Sequence, residues 1–462
     1  MSTHVVVLAA GEGKRMKSEL PKVAHLAAGR PLLGWVLEAL RSLDPANVVV
    51  VLGHKSELVE PILAVGESIA LQPEQLGTGH ATRIGLDALT DVAPDDTVLV
   101  LYGDMPLMTS GLLAELADRA DDVAARMVTT VLEDPNGYGR VIRDDSGFVV
   151  EVVEDRDCTA EQRLVDEINA GAYAFRAKDL IDALARVSNQ NAQGEYYLTD
   201  VVGILVDDGQ RLEPVKASPE EVVGINSQDQ LSDATRLLHA RTNRRLMEEG
   251  VWILDPDRTY IDESVVVEAG ARIYPGVHLE GTTTVAAGAR VGPDVFAVDS
   301  KIGADSTVWY AVLREAEVGA GCEVGPYASL RKGTVLESGA KVGTFVETKN
   351  TILGPGAKAP HLSYLGDASI GARTNIGAGA ITCNYDGYEK HRTEIGEGSF
   401  IGSDTMLVAP LKIGDGAVTG AGSVITEDVP DGALAVERSE QREIPGYSQR
   451  RAERQAKTEA ED

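Results

Sequence analysis

An aliphatic side chain returns at every sixth position through much of residues 261–425. Ile261, Val267, Ile273, Leu279, Val285 and Val291 keep the step without a miss. After one slip it resumes at Val318, Val324, Leu330, Leu336 and Val342, then at Ile370, Ile376 and Thr382, and again at Ile395, Ile401, Leu407 and Ile413. Such a period matches neither the 3.6 of an α-helix nor the 2 of a strand. It matches a chain coiled into short flat sides, each sending one apolar side chain inward, which predicts a parallel β-helix over 251–447. Three sides per turn give about 18 residues per turn, about nine turns, and a spacing of roughly 4.8 Å between them. Each turn buries its apolar corners against the next.

Residues 1–227 follow a different rhythm. Short apolar runs at 5–8, 48–52, 98–101 and 128–132 read as strands, and 31–43 and 112–120 read as helices. The alternation predicts an α/β domain with a mainly parallel, Rossmann-like sheet, whose ligands bind at the carboxyl ends of the strands. A further strand is expected to end at Asn226. Over 228–250 the spacing of Leu231, Ala234, Leu237, Leu238 and Leu246, with Arg236, Arg241, Arg244 and Arg245 between them, predicts one helix, ended by Gly250. The arginines read as a solvated face or as ion-pair partners. Residues 448–462 are polar and charged and are expected to be disordered.

Composition narrows the function. A formal charge of −29 argues against a broad nucleic-acid or anionic-membrane surface, although a local basic pocket would still take phosphates. Three widely spaced cysteines, Cys158, Cys322 and Cys383, provide no disulfide framework and suit a reducing, cytoplasmic setting. No apolar run reaches membrane-spanning length, and the first residues read as a strand rather than a leader.

Candidate chemistry lies where strands end. The first strand runs into Leu8-Ala9-Ala10-Gly11-Glu12-Gly13-Lys14-Arg15, with Lys22 beyond. Small residues let backbone N–H groups approach a phosphate, and Arg15 and Lys22 add charge. The segment lacks the full glycine pattern of a dinucleotide binder and the Gly-Lys-Ser/Thr of a P-loop, and a plain strand-to-helix turn would also need its glycines. Gln72, Gly77 and Thr78 fall in a polar loop. Tyr102-Gly103-Asp104 places a carboxylate, a hard ligand suited to Mg²⁺, just past a strand; a solvated turn would use the same residue. Gly139, Glu154 and Asn169 are loop candidates for sugar or base hydroxyls, and Asn226 is a second possible metal ligand.

The solenoid is interrupted by ionic residues that its regularity does not require. Arg331, Lys349, His361 and Tyr364 stand near breaks, Asn375 is in phase, and a loop containing Asn384 and Tyr385 is inserted before Ile395. A histidine beside phosphate-binding cations suits deprotonation of an amine near neutral pH, and loop N–H groups suit an oxyanion. A lone histidine is otherwise structural. Cys383 reads as a small wall residue, since transfer to an amine needs no thiol nucleophile.

Residues 8–22, 72–78 and 102–104, with Asn169 and Asn226, resemble a sugar-1-phosphate nucleotidylyltransferase. Lys349, His361-x-x-Tyr364, Asn375-x-x-Ala378 and Ile381-Thr-Cys-Asn-Tyr-Asp-Gly387 resemble the acetyltransferase half of the bifunctional N-acetylglucosamine-1-phosphate uridylyltransferase / glucosamine-1-phosphate N-acetyltransferase family. The resemblance covers nearly the whole chain. It implies a left-handed β-helix and a two-step synthesis of UDP-N-acetylglucosamine, a precursor for peptidoglycan and lipopolysaccharide. Acetyl-CoA acetylates glucosamine 1-phosphate, and N-acetylglucosamine 1-phosphate then reacts with UTP. It further implies Mg²⁺ on Asp104 and Asn226, Arg15 and Lys22 on the phosphates, Gln72, Gly77 and Thr78 on the base, and Gly139, Glu154 and Asn169 on the amino-sugar. It makes His361 the general base and gives the sugar phosphate to Arg331, Lys349, Tyr364 and Asn375. Acetyl-CoA goes to Ala378, Asn384, Tyr385, Ser403, Ala421 and Arg438. Members are homotrimers with acetyl-transfer sites shared between β-helices. Lys14 departs from the threonine of many members. Two other readings remain: a nucleotidylyltransferase whose β-helix only assembles subunits, and a non-catalytic regulatory subunit with the same layout.

Overall fold

The computed structural model describes residues 1–11, 13–191 and 193–461, with the side chains of 460 and 461 excepted. The chain divides into two compact units, Met1–Arg244 and Arg245–Asp462.

The first unit is built on one twisted sheet. Strands Thr3–Leu8, Asn47–Leu52, Glu67–Leu71 and Thr97–Tyr102 run parallel, with Thr3–Leu8 between Asn47–Leu52 and Thr97–Tyr102. Glu167–Arg176 joins this block antiparallel and carries Ala125–Val131 and Leu212–Lys216 beyond it. The continuous apolar runs follow from burial on both faces. Val5 and Val7 pack with Leu33, Val36, Leu37 and Leu113 on one side, while Val6 and Leu8 pack with Ala81, Leu198 and Val201 on the other. The helix expected at 31–43 is an α-helix over Leu32–Leu40 continued by a 3₁₀ turn, Arg41–Leu43. The one expected at 112–120 spans Ser110–Ala117, its first turn capped by the Thr109 hydroxyl, which accepts from Leu112 N at 3.2 Å.

One expected strand is corrected. Residues leading to Asn226 form instead a single 3₁₀ turn, Pro219–Val222, and an irregular segment. Pro219 starts the turn, and Ser218 and Glu221 close a reciprocal capping box around it, so the local polar chemistry overrides the apolar run. The connecting helix spans Gln228–Glu248 and is followed by Gly250 at φ +98°, the left-handed value a glycine terminator supplies. Within the first unit its Ala234 and Leu238 pack with Ala27, Leu32, Leu107 and Ile225. Among its arginines, Arg245 pairs with Glu249 at 3.1 Å.

The second unit is a parallel β-helix. Among the described residues its three sides are sheets of 11, 10 and 9 strands, beginning at Trp252–Ile253, Thr259–Ile261 and Val266–Val267. Every residue of the six-step series is buried, Val267 being the most exposed at 6%. The slip between Val291 and Val318 has a local cause. On the second side Leu279 pairs with Ala297, Ala297 with Leu313 and Leu313 with Leu330, steps of 18, 16 and 17 residues. The shortened corners are turned by Asp299, Asp305, Tyr310 and Glu315 in the left-handed region. Farther along, Thr382 pairs with Leu407, so one turn contains an extra loop.

The tail is also corrected. Tyr447–Glu461 is a helix whose described side chains are exposed. Its Arg, Glu, Ala, Gln and Lys content favours helix without a core, and Gln455 reaches Glu459 one turn on. No helix of the described residues is long and apolar enough to cross a membrane.

Candidate active sites

In the first unit the carboxyl ends of Thr3–Leu8 and Thr97–Tyr102 open into a cavity of about 350 Å³. Leu8, Ala9, Ala10, Gly11, Lys22, Gln72, Gly77, Thr78, Tyr102 and Asp104, all expected from the sequence, line it. The adjacent strand ends hold the loops together: Ala9 N donates to Val51 O at 2.9 Å and Gly103 N to Leu8 O at 2.9 Å. Arg15 is exposed on the 3₁₀ turn Lys14–Met16 and does not line the cavity.

Lys22 Nζ donates to Asp104 Oδ2 and, at 3.0 Å, to Asn226 Oδ1. Two hard oxygens from distant parts of the chain thus converge on one cation. Asn226 is held there by Gln230, which accepts from its N–H at 2.8 Å, and Ile225 N donates to Asp104 O at 3.0 Å. A carboxylate and an amide oxygen are the donor types Mg²⁺ takes when phosphates and water supply its other ligands, so the pair fits that ion. Among the described residues no group of three or more His, Cys, Asp or Glu side chains forms a self-sufficient metal cage.

On the base side, Gln72 is buried; its Nε2 donates to Gly77 O at 3.3 Å and lies 3.1 Å from His80 Nδ1. Thr78 Oγ1 accepts from Leu198 N at 3.1 Å, and Gly79 N donates to Tyr196 O at 2.8 Å. Gly77, at φ +106°, leaves no room for a Cβ, which would stand 2.6 Å from Tyr196 O. The segment 195–198 therefore closes this wall, and no periodic signal in the amino-acid order marks it.

Gly139, Glu154 and Asn169 form a neighbouring group. Asn169 N donates to Gly139 O at 2.9 Å, and the Asn169 amide oxygen accepts from Gly171 N at 2.9 Å. The ladder between Glu167–Arg176 and Ala125–Val131 slips between Asn169 and Tyr173, a bulge that turns Asn169 and Gly171 out of register. Gly171 is at φ +78° beneath the Tyr102 ring. Glu154 accepts from the Thr199 hydroxyl at 3.1 Å, and burial raises its pKa above the ordinary glutamate range. Burial likewise raises the Tyr102 phenol well above its usual value.

The second site lies on the outer face of the second side of the β-helix. Ser329, Glu347, Tyr364, Ile381 and Met406 stack there in register, one per turn. Arg331 and Lys349 follow at the ends of two successive strands on this side, and Asn384 at the end of the strand two turns after Lys349. Tyr364 crosses over Gly366, where a Cβ would lie 2.4 Å from the phenol oxygen and 2.8 Å from Asn384 Nδ2. Lys390, from the inserted loop, stands beside Lys349 and pushes its ammonium below the ordinary lysine range. Lys349 and Lys390, with Arg331 nearby, concentrate positive charge on this face. Arg331 is meanwhile held by Glu347 at 2.8 Å. Asp367 binds Asn350 Nδ2 at 2.7 Å and Asn384 Nδ2 at 2.5 Å, and these bonds, with Lys349 and Lys390, hold its carboxyl low. The hexapeptide period marks neither Lys390 nor Asp367, because one lies in the insertion and the other at a corner.

Asp386 organises the inserted loop. It accepts from Tyr388 N and Glu389 N at 2.8 Å and from His391 at 2.7 Å, which depress its pKa strongly. The expectation of loop N–H groups for an oxyanion is narrowed: Asn384 N donates to Thr382 O at 3.0 Å, so that backbone N–H is already engaged. Burial raises the Cys383 thiol pKa, in keeping with a wall residue.

One edge of the prism carries the remaining candidates. Tyr310, Tyr327, Phe345 and Leu362 turn successive corners there, linked by Tyr327 N to Tyr310 O at 2.6 Å and Phe345 N to Tyr327 O at 3.1 Å. The column continues through Gly379 N to Leu362 O at 3.1 Å, Asp404 N to Ala378 O at 2.7 Å and Gly422 N to Ser403 O at 2.8 Å. Arg438 closes it, donating to Ala421 O at 3.1 Å. His361 is exposed at the start of this corner, and Asn375 faces outward on the first side, next in the ladder to Lys358.

Residues 5–250 match the model of the MobA-like NTP transferase domain, and residues 392–427 match that of the bacterial transferase hexapeptide (six repeats). The chain is 49% identical over 454 residues to the bifunctional protein GlmU of Streptomyces avermitilis, covering 97% of this chain and 94% of that one. It is 45% identical to the GlmU protein of Carboxydothermus hydrogenoformans, covering 94% and 98%, and 48% identical to that of Kineococcus radiotolerans, covering 96% and 91%. This chain belongs to the GlmU family. As a GlmU it is a bifunctional enzyme of UDP-N-acetylglucosamine biosynthesis, a uridylyltransferase joined to a left-handed β-helical acetyltransferase. The reading of the β-helix as an assembly device alone does not apply to a GlmU, nor does that of a non-catalytic subunit.

Proposed function

We propose that the cavity of the first unit transfers UMP from UTP to N-acetylglucosamine 1-phosphate, and that the outer face of the β-helix acetylates glucosamine 1-phosphate. The observation that carries this division is the cluster of cations Arg331, Lys349 and Lys390 on one face, which a solenoid used only for assembly has no need to build.

In the first reaction the sugar phosphate oxygen attacks the α-phosphorus, a P–O bond forms, and the bond to the departing pyrophosphate breaks. The chain contributes positioning and charge. Ala10 and Gly11 present backbone N–H groups to the phosphates, with Lys22 as the cation in the lining and Arg15 outside it. Gln72, Gly77 and Thr78 hold the base, and Gly139, Glu154 and Asn169 hold the amino-sugar. Tyr102 walls the cavity, and Gly103 behind it packs close to Ala9 and Leu33. Asp104 and Asn226 would hold Mg²⁺, which when bound neutralises phosphate charge.

In the second reaction His361 takes a proton from the amine. The nitrogen then attacks the thioester carbonyl, a C–N bond forms, the C–S bond breaks, and the thiolate of coenzyme A leaves and is protonated. Arg331, Lys349, Tyr364 and Asn375, joined by Lys390, hold the sugar phosphate. Ala378, Asn384, Tyr385, Ser403, Ala421 and Arg438 hold acetyl-CoA. A homotrimer is supported by the exposed column Tyr310, Tyr327, Phe345 and Leu362, bulky side chains kept in the left-handed region beside the acetyl-CoA column. The cytoplasm suits its substrates and its three free cysteines.

A coupled assay tests the division. With glucosamine 1-phosphate, acetyl-CoA, UTP and Mg²⁺, thiol release is expected to need the amino-sugar but not UTP, and pyrophosphate release to need both acetyl-CoA and UTP. Pyrophosphate that appears only when pre-acetylated sugar is supplied, with no thiol released from glucosamine 1-phosphate and acetyl-CoA, would overturn it.

A further inference from the structure

Gln72 is 4% exposed and lines the nucleotide cavity. A side-chain amide has two donors on nitrogen and an acceptor oxygen. Here both donors have partners, the Gly77 carbonyl at 3.3 Å and His80 Nδ1 at 3.1 Å. Among the described residues no hydrogen bond reaches the amide oxygen, so the atom offered to a ligand is an acceptor.

The arrangement has a directional lock. Turned through half a circle, the amide would set its oxygen against the Gly77 carbonyl and against the lone pair of His80 Nδ1, two repulsive contacts in place of two hydrogen bonds. The lock needs His80 neutral, with Nδ1 unprotonated. Burial, first, and the nearby Arg83 lower its pKa, outweighing Glu74, which acts the other way.

We propose that His80 is a specificity-determining positioning residue, which fixes the Gln72 amide with its oxygen toward the base so that the site takes a pyrimidine bearing an N3–H donor and rejects one whose N3 is an acceptor. Uracil donates from N3 to Gln72 Oε1. Cytosine brings a lone pair to the same oxygen and leaves two buried acceptors facing each other, the kind of mismatch that discriminates far more sharply than a missing methylene. The inference rests on the assignment of Gln72 to the base.

The test is kcat/KM with UTP and with CTP for the full-length wild type, His80→Phe, His80→Asn and Gln72→Ala. Phenylalanine fills the space without an acceptor, whereas the asparagine oxygen restores one near the position of Nδ1. The UTP-to-CTP ratio is expected to fall about tenfold or more in His80→Phe and to be retained in His80→Asn. A ratio in His80→Phe within about twofold of wild type, or an asparagine variant no more selective than the phenylalanine one, would overturn the role of His80. Gln72→Ala separates the premise: unchanged kcat/KM for UTP would overturn the base contact and the proposal with it, while a large loss for UTP supports that contact, and the two His80 variants then decide the proposal. Thermal melting of the first unit, followed on the same samples, reports whether each variant is folded.

Discussion

The Asn384 side-chain amide donates to Asp367 at 2.5 Å, tying the inserted loop of the β-helix to the corner of the preceding turn. Asp367 also accepts from Asn350 and faces Lys349 and Lys390. A hydrogen bond to a charged group contributes roughly 1.5–3 kcal/mol. Asp367→Ala is therefore expected to lower kcat/KM for acetyl transfer by about 10- to 100-fold, with uridylyl transfer unchanged. Thiol and pyrophosphate release, followed separately, check both halves.

The two chemistries should be separable by single substitutions. Asp104→Ala is expected to reduce uridylyl transfer by about 100-fold or more while sparing acetyl transfer, and His361→Ala to do the reverse. Loss of both activities from either change would contradict two independent sites.

Gly171 supports Tyr102. A Cβ there would lie 2.1 Å from Tyr102 Cε2, and the backbone is at φ +78°. Gly171→Ala must displace the ring from the cavity wall and strain the bulge, at about 1–3 kcal/mol. A lower melting temperature for the first unit and a fall in uridylyl transfer, with acetyl transfer intact, are the expected results.

Glu154 carries a pH signature. Its folded-state pKa is raised, burial being the first cause, so the fold favours the protonated form. The stability this contributes is full below the unfolded-state value of about 4.3 and is lost as pH rises through the folded value. Glu154→Gln keeps an acceptor for Thr199 without a charge. It is expected to melt at the wild-type temperature or above it at pH 7, with the difference shrinking as pH falls through the raised folded-state value and vanishing below the ordinary glutamate range. Thermal melts across that window check the sign, and uridylyl transfer by the variant is expected to fall.

Much of this is legible in the amino-acid order because the β-helix repeats its physics every six residues. Each inward corner must be apolar, so Ile261 through Ile413 stand out. The slip near Val291 is visible but not its cause, since a corner shortened by a left-handed Asp299 or Tyr310 leaves no apolar mark. The cavity lining from Leu8 to Asp104 is legible because small residues and a carboxylate follow apolar runs. Arg15 belongs with that cavity by proximity in sequence, yet its side chain lies outside the lining. His80, Asp367 and Lys390 escape notice for a common reason: each acts through a side chain held by a residue distant in the chain or by a loop, and no period encodes that. The segment before Asn226 misleads because its apolar run suggests a strand, while the Ser218-Pro219 pair just before it starts a turn.

The turn that holds the extra loop has one more consequence. Thr382 and Leu407 pair as neighbouring rungs although 25 residues separate them, and the ladders on either side keep their order. The coil therefore tolerates length at a corner without passing the disturbance along its axis. Such an architecture is a natural host for grafting: a segment of foreign sequence spliced into 385–390 would be displayed on a rigid post, its ends already held together at one corner by the bond from His391 N to Asn384 O at 2.8 Å.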